Sequence, residues 1–460
     1  MVPHPPLIIP EVGRGQEKAI QATIDAYHQA ARCLAAWKPD TVVVLSPHSV
    51  MYADYFHISP GTGAEGDFGR FRAPHAKVRV TYDRELVRLI CQEADRADVP
   101  AGTMGEEDRQ LDHGTMIPLW FLNQYDRNYQ VVRIGLSGLP FSAHYRLGQC
   151  IQRAAERSGK RIAVIASGDL SHRLTKDGPY GFQEEGPAYD RRIMDVMGSG
   201  EFGGLFNFSE EFCEKAAECG HRSFVIMAGA LDSLAVKAER LSHEGPFGVG
   251  YGICIYEAGG PEPGRDFLRQ REEREREALE ERKRKEDPYV HLARQTIEAW
   301  VRGCAGRTEK RIAVPEGLPE EMLARRAGVF VSLKVDGRLR GCIGTISPVR
   351  GSIAEEIMEN AVSAACRDPR FHPVEPEELD RMVYSVDVLG KTEEISSKEE
   401  LDVKRYGVIV SRGARRGLLL PNLEGVDTVE EQIDIARQKA GIPEDAENIR
   451  LERFEVVRHF

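Results

Sequence analysis

Residues 41–49 read TVVVLSPHS, an apolar and β-branched run that leads directly into a loop carrying His48. An uninterrupted apolar run of this length is typical of a strand that is buried on both faces. The run IAVIASGDLSH at residues 162–172 has the same form and leads into Asp169 and His172. Because ligands of open α/β sheets gather beyond the carboxyl ends of the strands, we expect the two loops to share a cleft.

The neighbouring patterns predict an α/β domain over residues 1–260. Helices are expected at 16–37, 84–94, 145–158 and 223–237, and strands at 41–45, 130–136, 162–166 and 250–256. This alternation indicates helices layered on a largely parallel or mixed sheet.

A highly charged segment, RDFLRQREEREREALEERKRKED at residues 265–287, interrupts the chain. It contains nine basic and nine acidic residues and few apolar ones. Opposite charges three or four residues apart support a solvated helix. We therefore place the α/β domain at 1–260, a charged linker at 261–287 and a second domain at 288–460.

The composition of the 460-residue chain limits the class of protein. A formal net charge of −11 argues against a general nucleic-acid surface, so small molecules or proteins are the expected partners. No apolar run is long enough to span a bilayer and no secretory signal pattern is present, which predicts no membrane association and a cytoplasmic location. The nine cysteines form no CxxC pair and are expected to be reduced. The sequence does not indicate an oligomeric state.

Ten of the 13 histidines precede the linker, and several lie where the predicted sheet would form a site. The candidates are His4 in HPPLIIPEVG, His48, His113 in DHGT, His172, and the run ECGHRS with Glu218, Cys219 and His221. Each has an ordinary alternative, because a single histidine can be a loop or core residue and DHG can be a helix cap. For His4 the alternatives are a frayed terminus and a residue that ties the segment down.

Taken together, these residue types suggest metal chemistry. Two neutral imidazoles with one carboxylate or thiolate form a known ligand set, and two histidines with one carboxylate leave positions open on Fe(II). Remaining histidines can transfer protons, since imidazole titrates near neutral pH.

Five stretches, in chain order, resemble the class III extradiol dioxygenase (LigB-like) family: HPPLIIPEVG, VVVLSPHS, LDHGTMIPL, SGDLSH and ECGHRSFVIMAGAL. The MEMO family shares this fold. The resemblance implies Fe(II) held by His4, His48 and Glu218, with His172 as the acid/base histidine and His113 in contact with substrate or oxygen. MEMO-like proteins have a cysteine as the third ligand, and Cys219 is adjacent to Glu218. We favour Glu218 and iron; a cysteine ligand would favour copper or zinc.

The second domain shows a different pattern. LARQTIEAWVRG, SIAEEIMENAVSAACRD and DTVEEQIDIARQKAGI predict helices, the last one ended by Gly441. VFVSLKV, a DG turn and LRGCIG predict a hairpin, and YSVDVLG and GVIVSR predict strands. This uneven order suggests a smaller α+β domain.

Cys342, between two glycines of LRGCIGT, is the candidate reactive residue of this domain. Arg340 and Arg367 could lower the pKa of a nearby thiol, and the alternative is a buried, inert cysteine. Cys366, Asp368 and Arg370 lie in the turn-rich stretch ACRDPRFHPV, where structural ion pairing is the ordinary explanation.

LRGCIGT, AACRDPRFHPV, GLLLPNLEGVDTVEEQI and ARQKAGI closely resemble the AMMECR family, whose biochemical role is poorly defined. Fused or neighbouring AMMECR and MEMO-like modules are associated with a radical SAM protein in the AmmeMemoRadiSam system, so the resemblance implies such a partner. The chain itself lacks a CxxxCxxC cluster motif.

Two functions follow as expectations. The first is an Fe(II)-dependent extradiol ring-cleavage dioxygenase, an oxidoreductase that acts on a catechol-like or related aromatic substrate with dioxygen. The alternative is a metal-binding, MEMO-like interaction or redox protein that does not cleave rings and works with a radical SAM partner. The presence of both His113 and His172 favours the enzyme, because a structural metal needs no proton-transfer groups.

Overall fold

The computed structural model of the chain describes residues 1–303, 313–335, 337–423, 425–444, 446 and 448–460. It contains two compact units, Met1–Glu272 and Glu273–Phe460, and the division lies within the predicted charged linker. Most of that linker is a helix, Phe267–Lys285, whose charged side chains are largely exposed after Phe267 and Leu268. Among the described residues, no helix is long and apolar enough to cross a membrane.

The first unit alternates helices and strands along the chain. Its strands are β1 Thr41–Ser46, β2 Phe56–His57, β3 Gly63–Phe68, β4 Ala73–Thr81, β5 Ala101–Gly102, β6 Gln130–Gly135, β7 Ile162–Ala166, β8 Leu234–Glu244 and β9 Tyr251–Pro261. Its helices are α1 Pro10–Gly13, α2 Gln21–Trp37, α3 Arg84–Arg96, α4 His113–Leu122, α5 Phe141–Ser158, α6 Glu185–Ser199, α7 Glu210–Ala216 and α8 His221–Gly229, and the linker helix is α9.

A parallel sheet in the order β6–β1–β7 forms the centre of this unit. All six residues of β1 are buried, because helices cover both faces of the sheet. One apolar layer includes side chains from α3, α5 and α8, and the other includes side chains from α2 and α4. Antiparallel pairs β3–β4 and β8–β9 complete the unit. This architecture confirms the α/β prediction.

Most predicted elements of the first unit are present with boundaries a few residues away. The helix predicted at 223–237 is wrong in its second half. The helix ends at Gly229, and Leu234 begins strand β8. Ser233 has a left-handed backbone (φ 56°), which turns the chain between the two elements, and pairing with β9 then overrides local helical spacing.

The second unit confirms the α+β prediction. Its helices are α10 Pro288–Gly303, α11 Glu320–Ala324, α12 Ile353–Cys366 and α13 Val429–Ala440, and its strands are β10 Val329–Val335, β11 Arg338–Gly344, β12 Met382–Leu389, β13 Glu393–Ile395, β14 Gly407–Arg412, β15 Arg415–Leu419, β16 Arg450–Phe454 and β17 Val456–His459. Two four-stranded sheets have the orders β11–β10–β12–β17 and β13–β16–β14–β15.

The predicted hairpin forms as β10 and β11, which pair antiparallel. Asp336 of the predicted DG turn lies outside the described residues, and Gly337 has the positive φ of 77° that such a turn requires. Gly441 ends α13 in a left-handed conformation, as predicted.

Candidate metal centre

His4 is held in a fixed segment. The backbone N–H of Val2 donates to the carbonyl of Ala166 at the end of β7, and Gly168 donates back to Val2. The N–H of His4 donates to Asp169 Oδ1 at 2.7 Å, and the residue is 1% exposed. The ring therefore lies beside the loop that follows β7, and the segment is not frayed.

The hydrogen bonds of His4 fix its tautomer. The hydroxyl of Ser167 donates to the carbonyl of Gly114 at 2.7 Å, so its oxygen accepts the proton on His4 Nδ1 at 3.0 Å. Nε2 of His4 then carries a lone pair, which faces His48 Nε2 at 3.0 Å and Cys219 Sγ at 3.6 Å. Burial and the neighbouring His48 lower the pKa of His4 to about 3, so the ring is neutral at physiological pH. A neutral imidazole oriented by such a bond is the form that ligates metals.

His48 follows β1 on a loop tied to the start of α4. Its N–H donates to Ser46 Oγ, and that hydroxyl donates to Asp112 Oδ1 at 2.6 Å. Asp112 also caps α4 by accepting from the N–H of Thr115. A Cβ at Gly114 would meet Ser46 Oγ at 2.5 Å, so a side chain at this position would displace the Ser46 hydroxyl that binds Asp112. His48 is an exposed residue, which leaves the site open to solvent on that side.

Cys219 reaches the site on the loop before α8. A Cβ at Gly168 would lie 2.0 Å from the Cα of Gly220, so these glycines let the two loops approach closely. The N–H of Asp169 donates to Cys219 Sγ at 3.2 Å. Burial raises the pKa of the Cys219 thiol, and a bound cation would act in the opposite direction by favouring the thiolate.

Three donor atoms converge at this point. His4 Nε2 lies 3.0 Å from His48 Nε2 and 3.6 Å from Cys219 Sγ, and all three atoms lie within 4.8 Å of one another. Ligand atoms at ordinary Zn–N and Zn–S bond lengths in a tetrahedral site are about 3.3–3.6 Å apart. Within the described ranges, no other group of three His, Cys, Asp or Glu side chains has this spacing. The donor set therefore fits a first-row transition metal.

The structure places Glu218 differently from the expectation that it joins His4 and His48. Its carboxylate accepts from the N–H of His221 at 2.6 Å, at the beginning of α8. Ala217 has a left-handed backbone (φ 51°), and in this turn Cys219, rather than its neighbour, lies with the two imidazoles. Burial raises the pKa of Glu218 to about 7.

His113 packs against the donor set without joining it. Its ring centroid lies 4.1 Å from that of His48 and 5.3 Å from that of His4. Burial, His48 and His4 lower its pKa to about 3, so it is neutral at physiological pH. The other edge of the ring faces Phe71, with centroids 5.5 Å apart.

His172 lies on the far side of Asp169. Its Nδ1–H donates to the carbonyl of Ala217 at 2.6 Å, which leaves Nε2 as the ring nitrogen that faces the site. Asp169 Oδ2 is 4.0 Å from Nε2 of His172 and 4.0 Å from Nε2 of His4. Burial raises the pKa of Asp169. The carboxylate thus stands between a metal donor and a half-buried imidazole that can accept a proton.

The remaining histidine of the ECGHRS run has a structural position. His221 is fully buried; it donates from Nε2 to the carbonyl of Leu205, and its Nδ1 accepts from the hydroxyl of Tyr189. Both ring nitrogens are therefore occupied.

Sequence reasoning missed the residues that position the site. Arg133 of β6 is fully buried and pairs with Asp112 Oδ2 at 3.1 Å, which compensates the carboxylate that caps α4. An arginine within the apolar strand QVVRIG was the available signal. Ser46 and Ser167 gave no comparable signal, because serine after a strand is common in loops.

Cys342 of the second unit lies in a different environment. Ser332 donates to its Sγ at 3.2 Å, and its N–H donates to Asp368 Oδ2 at 2.9 Å. Asp368 pairs with Arg370 at 2.7 Å, in line with the ion pairing expected in this stretch. The two arginines named from the sequence have other partners, since Arg340 pairs with Glu378 and Arg367 with Glu359.

Comparison with known proteins identifies both units. Residues 1–254 match the family model of the catalytic LigB subunit of aromatic ring-opening dioxygenase, and residues 290–459 match the AMMECR1 model. Protein CA_C1420 of Clostridium acetobutylicum is 41% identical over 467 residues, which cover 100% of this chain and 98% of that protein. A Thermotoga maritima protein is 53% identical over 38% of this chain and 98% of its own length. The crystal structure of the uncharacterized protein PH0010 from Pyrococcus horikoshii is 34% identical over 37% of this chain and 88% of that chain, with a TM-score of 0.34.

Proposed function

The chain belongs to the LigB family and carries an AMMECR1 domain, and from that membership we propose that its first unit is a metal-dependent oxidoreductase acting on a small aromatic substrate. The observation that carries the proposal is the convergence of donor atoms from His4, His48 and Cys219 at a site that is open beside His48. Structural metal sites are usually closed by four protein ligands, whereas catalytic sites keep a position open. Three protein donors and an exposed side fit the catalytic arrangement.

Among the metals that this donor set could bind, we propose iron(II), with a catechol-like diol and dioxygen as the reactants. When bound, the ion would supply Lewis acidity and redox chemistry. The two neighbouring hydroxyls of a diol can bind one ion together when the protein ligands leave more than one coordination position open.

The chain's own groups would bind the substrate and move its protons. Nδ1 of His172 is occupied by the carbonyl of Ala217, so Nε2 is the ring nitrogen through which this residue would exchange a proton with a substrate hydroxyl. Tyr180 is 61% exposed and lies with its ring centroid 5.3 Å from that of His172. Phe71 lies beside His113, so the rings of Tyr180 and Phe71 each offer a face on which a flat substrate ring can pack.

The thiol of Cys219 favours a second candidate. Soft thiolate ligands suit copper(I) or zinc, whereas the usual facial set for non-heme iron ends in a carboxylate. Under this alternative the unit binds a metal for redox chemistry or interaction without opening a ring. For either candidate function we also propose a radical SAM partner and a cytoplasmic location. The described cysteines are all free, which is compatible with a reducing compartment.

The test loads the metal-free full chain separately with iron(II), copper(I) and zinc, and measures oxygen uptake with a panel of catechols and aminophenols. The iron form is expected to consume at least one of them. His172→Ala should keep its metal and lose about 10²–10⁴-fold in rate, as expected for loss of a general acid/base. His75→Ala removes an exposed histidine and serves as the matched control.

Two outcomes would change the account. If no diol or aminophenol is consumed by the iron form, and copper or zinc binds more tightly, the second candidate is the better one. If His172→Ala loses its metal, that residue is a ligand and not a proton-transfer group.

A further inference from the structure

Residues Met1 and Val2 form a short strand between β7 and β9. Val2 pairs in parallel with Ser167, which follows β7. On the other side the N–H of Met1 donates to the carbonyl of Cys254, and the N–H of Cys254 donates to the carbonyl of Met1. Such a mutual exchange is the mark of an antiparallel pair. The two residues therefore join β7 to the β8–β9 hairpin.

Beyond Met1 the space between the same two strands is a cleft of about 740 Å³. Residues 162–165 of β7 line one side and residues 255–258 of β9 line the other. Along residues 162–165, β7 pairs only with β1 in the described part of the chain. The outer edge of a central sheet is thus left without a neighbouring strand, although buried sheet edges are normally paired or covered.

The register of Met1–Val2 fixes how a strand would continue through this cleft. Because Val2 lies opposite Ser167, Met1 lies opposite Ala166, and four positions ahead of Met1 would lie opposite Ile165, Val164, Ala163 and Ile162 in turn. The same four positions would lie antiparallel to residues 255–258, because Met1 pairs with Cys254. Both registers therefore provide four partner positions on each side, and these are the residues of β7 and β9 that line the cleft.

The walls of the cleft specify the side chains of such a strand. One wall comes from α2, with Ala31 and Leu34, and the opposite wall comes from α5 and α8, with Ile151 and Met227. Successive residues of a strand point to opposite faces, so every position would meet an apolar layer. The fitting segment is apolar throughout, as in strands buried on both faces.

We propose that this cleft is the seat of one β-strand of four apolar residues, supplied by the same polypeptide as a segment joined to Met1 on its N-terminal side. The segment runs parallel to β7 and antiparallel to β9, and it makes β6–β1–β7 and β8–β9 parts of one continuous sheet. Continuity with the pairing already made by Met1 and Val2 assigns the strand to this chain, because a separate peptide would have to end where Met1 begins.

The test compares three versions of the full chain by peptide-resolved hydrogen exchange: the sequence as it stands, an extension of Val-Ile-Val-Val before Met1, and an equally long Asp-containing extension. Ala166 and Gly168 face Val2, so alternation along β7 turns the N–H of Val164 toward the cleft. The apolar extension is expected to slow exchange at Val164 and Tyr256 at least tenfold. Ala163 and Ile165 face β1 and serve as internal controls.

Equal exchange at Val164 in the apolar and acidic forms would overturn the proposal. A free Val-Ile-Val-Val peptide that protects Val164 as well as the linked one does would assign the cleft to a strand from another chain. Sequencing the N-terminal peptide of the protein isolated from its own cells tests the source directly. Residues ahead of Met1 are expected, and a chain that begins at Met1 in those cells would refute a strand from the same polypeptide.

Discussion

The two units each place a partly buried thiol beside polar groups, but the neighbours of the thiols differ. Cys219 lies beside neutral imidazoles: its Sγ is 3.6 Å from His4 Nε2, and the lone pair of that nitrogen also faces His48 Nε2 at 3.0 Å. Cys342 accepts a hydrogen bond from Ser332, and its backbone is tied to the Asp368–Arg370 pair. Each thiol accepts one hydrogen bond, but Cys219 also faces imidazole nitrogens with which it can share a cation, whereas Cys342 lies beside a closed ion pair. The residue types next to the two cysteines in the sequence would not distinguish these two environments.

The largest expected effect of this difference is on metal content. His4→Ala removes one donor of three, so the metal content of purified protein should fall from about one equivalent per chain to below about 0.1. Elemental analysis measures it. Cys342→Ala and the exposed-residue control His75→Ala should both keep the full amount. Metal retained in His4→Ala would remove this residue from the ligand set.

A smaller effect is expected on the acid stability of the metal-free units. Four buried or partly buried histidines of the first unit have pKa values lowered to about 3, with burial as the largest cause: His4, His113, His144 and His221. Unfolded histidine titrates near 6.5. Between these values the unfolded state binds protons that the folded state does not, so the free energy of unfolding falls as the pH falls from about 6.5 toward 3.

Glu218 acts in the opposite direction, because its raised folded pKa of about 7 makes the folded state the better proton binder between about 4.5 and 7. Three carboxyls thus oppose the four histidines, because the raised pKa values of Asp169 and Asp190 act in the same direction as that of Glu218. In the second unit Arg370 holds the pKa of Asp368 below its usual range, so the contribution of this carboxylate to the free energy of unfolding is lost only below about pH 4.

Peptide-resolved hydrogen exchange at pH 7 and pH 5, corrected for intrinsic rates, should show the first unit losing more protection. Equal losses would contradict the burial of neutral imidazoles.

The smallest effect concerns the second unit alone. Asp368 is 4% exposed and accepts hydrogen bonds from the N–H of Cys342 and from the backbone and side chain of Arg370. Asp368→Asn keeps the shape and removes the charge, so it should destabilise this unit by about 2 kcal/mol, the scale of a hydrogen bond to a charged group. Urea unfolding followed on second-unit peptides measures the change, and metal content of the first unit should not move. Full stability in Asp368→Asn would mean that the ion pair is incidental.

Much of this site could be predicted from the sequence, because parallel strands deliver their following loops to one edge. That rule brings together His48 after β1 and Asp169 with His172 after β7. His4 required the family resemblance, since a short segment without helical or strand periodicity gives no local signal. Its anchoring depends on bonds to Ala166 and Asp169, more than 160 residues away in sequence.

The choice between Glu218 and Cys219 could not be made from the sequence. Adjacent residues in a turn point in different directions, and the direction depends on the backbone angles of the turn and not on residue type. Here it follows from the left-handed Ala217 and from the close approach of Gly168 to Gly220. The error in the second half of the helix predicted at 223–237 has a related cause. The pairing of β8 with β9 is a long-range contact, and the local spacing of apolar residues does not predict it.

X-ray absorption spectroscopy at the edge of the bound metal tests the central claim most directly, on wild-type protein, Cys219→Ser and Glu218→Gln. If His4, His48 and Cys219 hold the metal, the wild-type spectrum shows one sulfur neighbour at about 2.3 Å with nitrogen neighbours at about 2.0–2.1 Å. That sulfur should disappear in Cys219→Ser and persist in Glu218→Gln. A wild-type centre with only nitrogen and oxygen neighbours, altered by Glu218→Gln and not by Cys219→Ser, would contradict the account and restore the carboxylate as the third ligand.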